Sequence, residues 1–265
     1  MAMTQLLAHK VVAITGCSTG IGRATALECA RHGARLVLHH IGDRQSKQDM
    51  RALRDEIESL NSGLAVKAQT ADFAVDIRDP EAGQGIVDTA VSAFGELNAV
   101  VHNAGICQFI DFDAVTPQQR DSHMSINYGG PFAITQAVVQ QMKRQGLGGS
   151  IVTIASITAT MGSSQLTHYS PTKAALLGMT VSCAVALGKY GIRFNAVSPG
   201  TIETAMNKED LSGPKRAEME GRVPLGRLGR PEDIAKPVVF FASDLAQYVS
   251  GQNLIVDGAA SVNYQ

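Results

Sequence analysis

A tyrosine and a lysine four residues apart carry the clearest chemical signal in the sequence. Tyr169 and Lys173 bracket the stretch Tyr-Ser-Pro-Thr-Lys, and residues at i and i+4 share one face of a helix. A tyrosine hydroxyl ionises at about pH 10, too high for a base at neutral pH, but a neighbouring ammonium lowers that pKa. The pair therefore predicts a general acid/base, although such spacing also arises by chance on helix surfaces.

Two further polar residues strengthen this prediction. Ser156 follows the apolar run 151–155, and a hydroxyl at the carboxyl end of a strand faces the crevice where open α/β sheets bind ligands. It could hold a carbonyl or alkoxide oxygen, or simply cap the strand end. Asn127 lies in a helical stretch and is followed by Gly129 and Gly130. That composition predicts a local break in the helix, but spacing alone assigns it no purpose.

A glycine-rich stretch follows the first predicted strand and opens the first predicted helix. This order is the context of a dinucleotide site, where glycines admit a pyrophosphate to the free N–H groups of a helix N-terminus. The alternative is a tight turn with no ligand. The residues expected to contact the cofactor here are Gly16, Ser18, Thr19, Gly20, Ile21 and Gly22.

The position that distinguishes NAD from NADP lies about 20 residues beyond such a loop. His40 stands there instead of an acid, and Arg44 follows shortly. Without a carboxylate to repel it, a 2′-phosphate could pair with Arg44. We therefore expect NADP as cofactor, with NAD possible; in the alternative, Arg44 merely begins a solvated helix.

Short apolar runs alternate with helical patterns along the whole chain. The predicted strands cover 10–15, 34–39, 64–70, 98–102, 150–155, 192–198 and 253–256; the predicted helices cover 20–32, 44–61, 79–94, 117–144, 168–189 and 231–243. Strands that are apolar throughout predict a parallel sheet covered on both faces. The fold class is therefore α/β: a Rossmann-like, doubly wound parallel sheet of about seven strands in one domain over 1–265. The irregular segment 200–228 is the predicted lid.

Composition excludes several classes of function. The formal net charge is −1, which does not favour nucleic acid or an anionic membrane as partner. The four cysteines show no metal-ligand spacing, so no metal site is expected. No apolar run approaches the roughly 20 residues of a membrane helix, and no signal peptide is evident. The expectation is a cytoplasmic protein with a small-molecule substrate.

With these motifs in register, the chain resembles the short-chain dehydrogenase/reductase family over essentially its whole length. The resemblance implies that Tyr169 exchanges the proton and that Lys173 lowers its pKa and holds the nicotinamide ribose. It implies that Ser156 positions the substrate oxygen and that Asn127 supports a water-linked proton path. Further cofactor contacts implied by the resemblance are Asp72, Asn103, Ala104, Gly105, Pro199, Gly200, Ile202 and Thr204, with His102 replacing the family's usual Asn.

Several segments, including 103–107, 167–174 and 206–211, are similar to L-rhamnose 1-dehydrogenases, which oxidise an aldose to its lactone. This implies a sugar substrate near Ser156, Thr158, Gln165 and Tyr169. The segment 158–164 departs from that pattern, so a ketoreductase or alcohol dehydrogenase for another small carbonyl stays open, as does a non-redox scaffold that binds the cofactor. The resemblance also implies a homotetramer or homodimer, paired through the helices at 117–144 and 168–189.

Overall fold

Among residues 5–263, which the computed structural model of the protein describes, seven strands form one parallel sheet. The strands are β1 (Val11–Ile14), β2 (Arg35–His40), β3 (Gln69–Ala74), β4 (Ala99–His102), β5 (Gly149–Ile154), β6 (Ile192–Pro199) and β7 (Asn253–Val256). Their order is β3-β2-β1-β4-β5-β6-β7. From β1 the first strands are added on one side of the sheet and the later strands on the other, so the order reverses between β1 and β4. The predicted fold class is confirmed; residues 1–4 and 264–265 of the predicted domain lie outside the described part.

Helices cover both faces of the sheet and bury two separate apolar clusters. They are α1 (Gly20–Arg31), α2 (Arg44–Leu60), α3 (Ala82–Phe94), α4 (Pro117–Met124), α5 (Gly130–Gln145), α6 (Ser170–Leu187), α7 (Pro214–Gly221) and α8 (Pro231–Ala242). One face packs on α1, α2 and α8, the other on α3, α5 and α6. The inner strands are apolar because both of their faces are covered.

The third strand was predicted in the wrong place. The apolar residues near 64–66 lie in a loop, where the Gln5 side chain bonds both the N–H and the C=O of Val66. The strand itself is Gln69–Ala74, with alternating polar residues that are partly exposed. Because β3 is an edge strand, one side of it needs no apolar cover, and a search for apolar runs passes over it.

The segment 200–228 also contains more regular structure than predicted. Helix α7 begins at Pro214, which suits the first turn of a helix. Leu211, Val223 and Leu228 form a small apolar cluster beneath it. The predicted lid segment is therefore folded around a small apolar cluster of its own, and an ion pair between Arg216 and Glu203 joins two parts of the segment.

Candidate active site

A cavity of about 840 Å³ opens at the carboxyl edge of the sheet, where β1 and β4 carry their connections to opposite faces. Open α/β sheets bind ligands at this kind of switch point. The walls are the glycine loop before α1, the ends of β4 and β5, the start of α6, and the lid.

The glycine loop has the shape that a dinucleotide requires. Gly16 has φ +64°, and a Cβ there would lie 2.8 Å from Ala104 Cα. A Cβ on Gly22 would lie 2.4 Å from Asn103 Nδ2. Thr19 precedes α1 without capping it through its side chain, and the first turn carries no acid. The N–H groups at this terminus can therefore receive a pyrophosphate.

Thr15 fastens the glycine loop to the loop after β4. Its hydroxyl accepts from the N–H groups of Asn103 and Ala104, both at 3.0 Å, and donates to the Val101 carbonyl at 3.3 Å. The Asn103 amide returns bonds to the carbonyls of Thr15 and Gly16. Two loops separated by about 88 residues thus form one floor under the cavity.

Most of the predicted cofactor residues lie on the cavity wall. Those that line it are Gly16, Ser18, Thr19, Gly20, Ile21, Asn103, Ala104, Gly105, Tyr169, Lys173, Pro199, Gly200, Ile202 and Thr204. Gly22 lies behind them, against Asn103. His40, Arg44 and Asp72 are not on the wall.

His40 points away from the cavity, contrary to the prediction. Its ring is buried, with Nδ1 3.0 Å from Ser46 Oγ and accepting from the Gly42 N–H. Its neighbours His39 and Ile41 line the cavity instead. Successive side chains of a strand point to opposite faces of the sheet. An error of one residue in the distance from the glycine loop therefore selects a side chain that points away from the cavity. Arg44 is exposed on the first turn of α2 and also lies off the wall.

Asp72 was predicted to follow the third strand, but it lies inside β3. It pairs in register with Leu38 and forms an ion pair of 2.9 Å with Arg54. Asp76 follows the strand and lines the cavity, and its pKa is lowered by bonds to Arg78. The error arose because the third strand was predicted to end at residue 70, whereas β3 ends at Ala74. Asp76, and not Asp72, is therefore the acid that follows the strand at the cavity.

Tyr169 and Lys173 meet at the centre of the cavity, as their spacing predicts. Tyr169 immediately precedes α6, and Lys173 Nζ lies 5.6 Å from the centre of the Tyr169 ring. Lys173 Nζ donates to the Ile154 carbonyl at 2.8 Å, and burial lowers its pKa to about 8.

The pKa of Tyr169 departs from the sequence-based expectation in direction. Burial raises it above its ordinary value, and the nearby Cys107 adds to this. A bond with the Ser156 side chain lowers the pKa, but by less than burial raises it. The predicted net lowering is therefore wrong for the protein without its cofactor. Because its pKa is raised, Tyr169 carries its proton at neutral pH.

Ser156 caps a turn and also lines the cavity. Its Oγ accepts from the Thr158 N–H at 3.1 Å and lies 3.0 Å from Thr158 Oγ1, which caps the short 3₁₀ turn Ile157–Ala159. The same side chain lines the cavity beside Tyr169. The capping bond therefore holds the Ser156 side chain in place at the cavity wall.

Asn127 occupies the predicted helix break, which is a π-helical turn, Ser125–Gly129, between α4 and α5. Its Oδ1 accepts from the Ile106 N–H at 2.8 Å, and its Nδ2 donates to the Ile106 carbonyl and to Thr172 Oγ1 at 2.9 and 3.1 Å. Asn127 does not line the cavity. It joins the loop after β4 to helix α6, which carries Lys173.

The far end of the cavity mixes polar and apolar side chains. Thr158 and Gln165 lie there as predicted, and Gln165 Nε2 donates to Asp111 Oδ1 at 2.9 Å. The lid contributes Asp210 and Lys215, which are ion-paired with each other and were not predicted. Nothing in their spacing distinguishes them from the other charged residues of the lid.

Two further expectations concern metals and membranes. Within residues 5–263 there is no cluster of three or more His, Cys, Asp or Glu side chains that could hold a metal. In the same range one helical segment, Ser170–Tyr190, is long and apolar enough to span a membrane by length and composition. The expectation that no apolar run approaches this length is therefore wrong for this helix. The helix packs on β6 and carries the buried Lys173, while Val181 and Val185 on its outer face are exposed.

A glycine loop for a dinucleotide and a Ser–Tyr–Lys set around one cavity define an oxidoreductase that transfers hydride to or from a nicotinamide cofactor. The profile described as "Enoyl-(Acyl carrier protein) reductase" matches residues 16–260. A structure of a short-chain type dehydrogenase/reductase from Mycobacterium marinum is similar at 31% identity, with a TM-score of 0.88 and 98% of each chain covered.

Two curated relatives are closer in sequence. The L-rhamnose-1-dehydrogenase of Scheffersomyces stipitis is 51% identical over 99% of this chain and 100% of the relative. The L-rhamnose 1-dehydrogenase (NAD(P)(+)) of Azotobacter vinelandii is 48% identical over 98% of this chain and 100% of the relative. The chain belongs to the short-chain dehydrogenase/reductase family of NAD(P)-dependent oxidoreductases.

Proposed function

We propose that this protein oxidises the anomeric hydroxyl of an aldose, with L-rhamnose as the leading candidate, to the corresponding lactone. The observation that carries the proposal is the meeting of Ser156, Tyr169 and Lys173 in one cavity with the glycine loop. The names of the two curated relatives choose the sugar among the alcohols that such a site could oxidise.

The catalytic side chains divide the work of a proton transfer. Ser156 orients the reacting oxygen by a hydrogen bond, and Tyr169 Oη exchanges the proton with it. In oxidation Tyr169 must first lose its own proton, which the charged Lys173 and the Ser156 bond favour. Bound NAD(P)⁺ supplies the hydride acceptor, and Asn127 holds the Lys173 helix in place.

The lining of the substrate end supports a polyhydroxylated ligand over an apolar ketone. Thr158, Gln165 and the Asp210–Lys215 pair offer hydrogen-bond partners. Each sugar hydroxyl buried without a partner would cost about 1–3 kcal/mol. Phe109 and Met161 lie on the same wall and suit an apolar group such as the methyl of a deoxy-sugar.

We propose that NADP⁺ is preferred and that NAD⁺ is also used. Residues 39–41, where β2 ends at the cavity, are His-His-Ile and carry no carboxylate to repel a 2′-phosphate. Asp76 and Arg78 line the adenosine end of the cavity. Asp76 is in a position to accept a hydrogen bond from the adenine, which is the contact that was expected of Asp72 from the sequence.

The deciding experiment is a substrate screen at 340 nm with both cofactors. Aldoses and 6-deoxy-aldoses, polyols, cyclic ketones and steroids are compared, and Tyr169→Phe is the negative control. We expect L-rhamnose and related deoxy-sugars to give the highest kcat/KM. Efficient reduction of an apolar ketone with no turnover of any sugar would replace this proposal by the ketoreductase alternative, and no turnover of any substrate would favour the scaffold.

We further propose a cytoplasmic homo-oligomer, a dimer or tetramer, paired through α4–α5 and α6. The outer faces of these helices expose Phe132, Val181 and Val185, the last at 82%. Apolar side chains in such a row are costly to leave in water. Light scattering should give a mass well above the 28.0 kDa of one chain, and Val185→Asp should lower it. A wild-type mass of one chain would contradict the proposal.

A further inference from the structure

His39 bridges two segments of the cavity wall, the glycine loop and the residues that follow β3. Its Nδ1 lies 3.2 Å from the backbone N of Gly16 in the glycine loop. Its Nε2 lies 3.0 Å from the carbonyl oxygen of Val75, at the end of β3. The ring is only 2% exposed and forms part of the cavity wall.

These two partners determine which ring nitrogen carries the proton. The Gly16 N–H can only donate, so Nδ1 must be unprotonated. The Val75 carbonyl can only accept, so Nε2 must carry the hydrogen. Burial lowers the pKa of His39 to about 4, which keeps the ring neutral at physiological pH.

The bridge has a consequence for the cofactor. Gly16 begins the loop whose N–H groups would receive a pyrophosphate, and Val75, Asp76 and Ile77 line the same cavity. The His39 carbonyl also accepts from the Cys17 N–H at 3.1 Å, which fixes the strand end against the loop. The imidazole thus joins the glycine loop to the segment that follows β3, and both line the cavity.

We propose that His39 is a positioning residue for the adenosine half of the dinucleotide, acting through Gly16 and Val75. The inference rests on the proposed cofactor binding. It assigns to His39 no part in proton or hydride transfer, because Tyr169 and Ser156 belong to the other half of the cavity. Its removal should therefore weaken cofactor binding and leave turnover at saturating cofactor intact.

The test compares three variants by NADPH fluorescence titration, 5′-AMP competition, steady-state kinetics and thermal unfolding. His39→Leu removes both side-chain bonds, and His39→Gln retains one donor and one acceptor. Ile57→Ala creates a cavity in the core under α2 without removing either His39 bond, and is the control for destabilisation alone.

We expect His39→Leu to raise the Kd of NADPH about tenfold, the factor for loss of a hydrogen bond that leaves its partners unmet. The Kd of 5′-AMP should rise by a similar factor, kcat should stay within about twofold, and His39→Gln should recover part of the affinity. Ile57→Ala should lower Tm without changing either Kd. If His39→Leu does not fold, a raised Kd at unchanged kcat in His39→Gln supports the same conclusion.

Three results would overturn the proposal. The Kd values of both His39 variants could equal that of the wild type, kcat could fall while Kd stays constant, or Ile57→Ala could raise Kd as much as His39→Leu. A wild-type protein that binds neither NADPH nor NADH would refute the proposed function as well, so the two failures are distinguishable.

Discussion

The Thr15 hydroxyl supports the cavity floor, and replacing it with a methyl group is the sharpest test of that floor. Thr15→Val keeps the shape and the β-branch of the side chain but cannot accept from the N–H groups of Asn103 and Ala104. The residue itself is 1% exposed. Each N–H left without a partner costs about 1–3 kcal/mol, so two cost about 2–6 kcal/mol.

Both N–H groups are only partly buried, so water can reach them and the lower part of that range applies. We expect a loss of about 2–4 kcal/mol in the free energy of unfolding. For a chain of this size that corresponds to a fall in Tm of roughly 4–8 °C. The Kd of NADPH should rise at the same time, because Ala104 and Gly16 pack against each other beneath the cofactor site.

The assay is urea unfolding followed by circular dichroism, with NADPH titration on the same samples. Thr15→Ser is the matched control, since it keeps the hydroxyl and removes only the methyl group. A loss below about 1 kcal/mol in Thr15→Val, or an equal loss in Thr15→Ser, would refute the role assigned to the hydroxyl.

Three other predictions concern the reaction, stability in acid and the choice of cofactor. Tyr169→Phe should fold and bind cofactor but lose about 10²–10⁴-fold in kcat. Lys173→Met should move the rise of the oxidation rate with pH to higher pH values. A pH–rate profile of unchanged shape in Lys173→Met would contradict the role of Lys173. His102 is buried with its pKa lowered to about 4. The unfolded chain, in which the His102 pKa is about 6.5, takes up a proton at a higher pH than the folded protein does. The free energy of unfolding should therefore decrease as the pH falls from about 6.5 to 4. His102→Asn should reduce that slope in urea titrations, and an identical slope would exclude His102 as its source. Arg44→Ala should weaken NADP⁺ more than NAD⁺, since Arg44 is an exposed cation close in sequence to Ile41 on the cavity wall; an unchanged ratio of the two Kd values would remove Arg44 from cofactor choice.

The sequence was sufficient to predict the site where the functional residues lie close together within one local element of structure. Tyr169 immediately precedes α6 and Lys173 lies near the start of that helix, so their spacing of four residues predicts that they meet. The glycine loop lies directly between a strand and a helix, which is the context that a dinucleotide site requires. The Asn127 break was visible as an anomaly in a helical pattern, although its bonds to Ile106 and Thr172 depend on residues far along the chain.

The errors arose where geometry depends on register or on distant packing. The third strand was predicted a few residues too early, so Asp72 was chosen where Asp76 lines the cavity. Side chains of β2 alternate between its two faces, so His40 was chosen where His39 lines the cavity. The raised pKa of Tyr169 depends on how completely the fold encloses it, which spacing does not report. Helix α7 was missed because its stabilising contacts lie within the small lid cluster rather than in an obvious amphipathic repeat.

The reversal between β1 and β4 also determines when the site can form as the chain is synthesised. β1, β2 and β3 are complete by residue 74, but β4 begins only at Ala99. Until β4 emerges, the inner edge of β1 has no neighbour and the Thr15 hydroxyl has neither of its two N–H donors. Pairings between distant segments form slowly because loop closure precedes any gain from contact. A nascent chain of about 75 residues therefore has the glycine loop but not the floor beneath it, which can form only after Asn103 and Ala104 have left the ribosome.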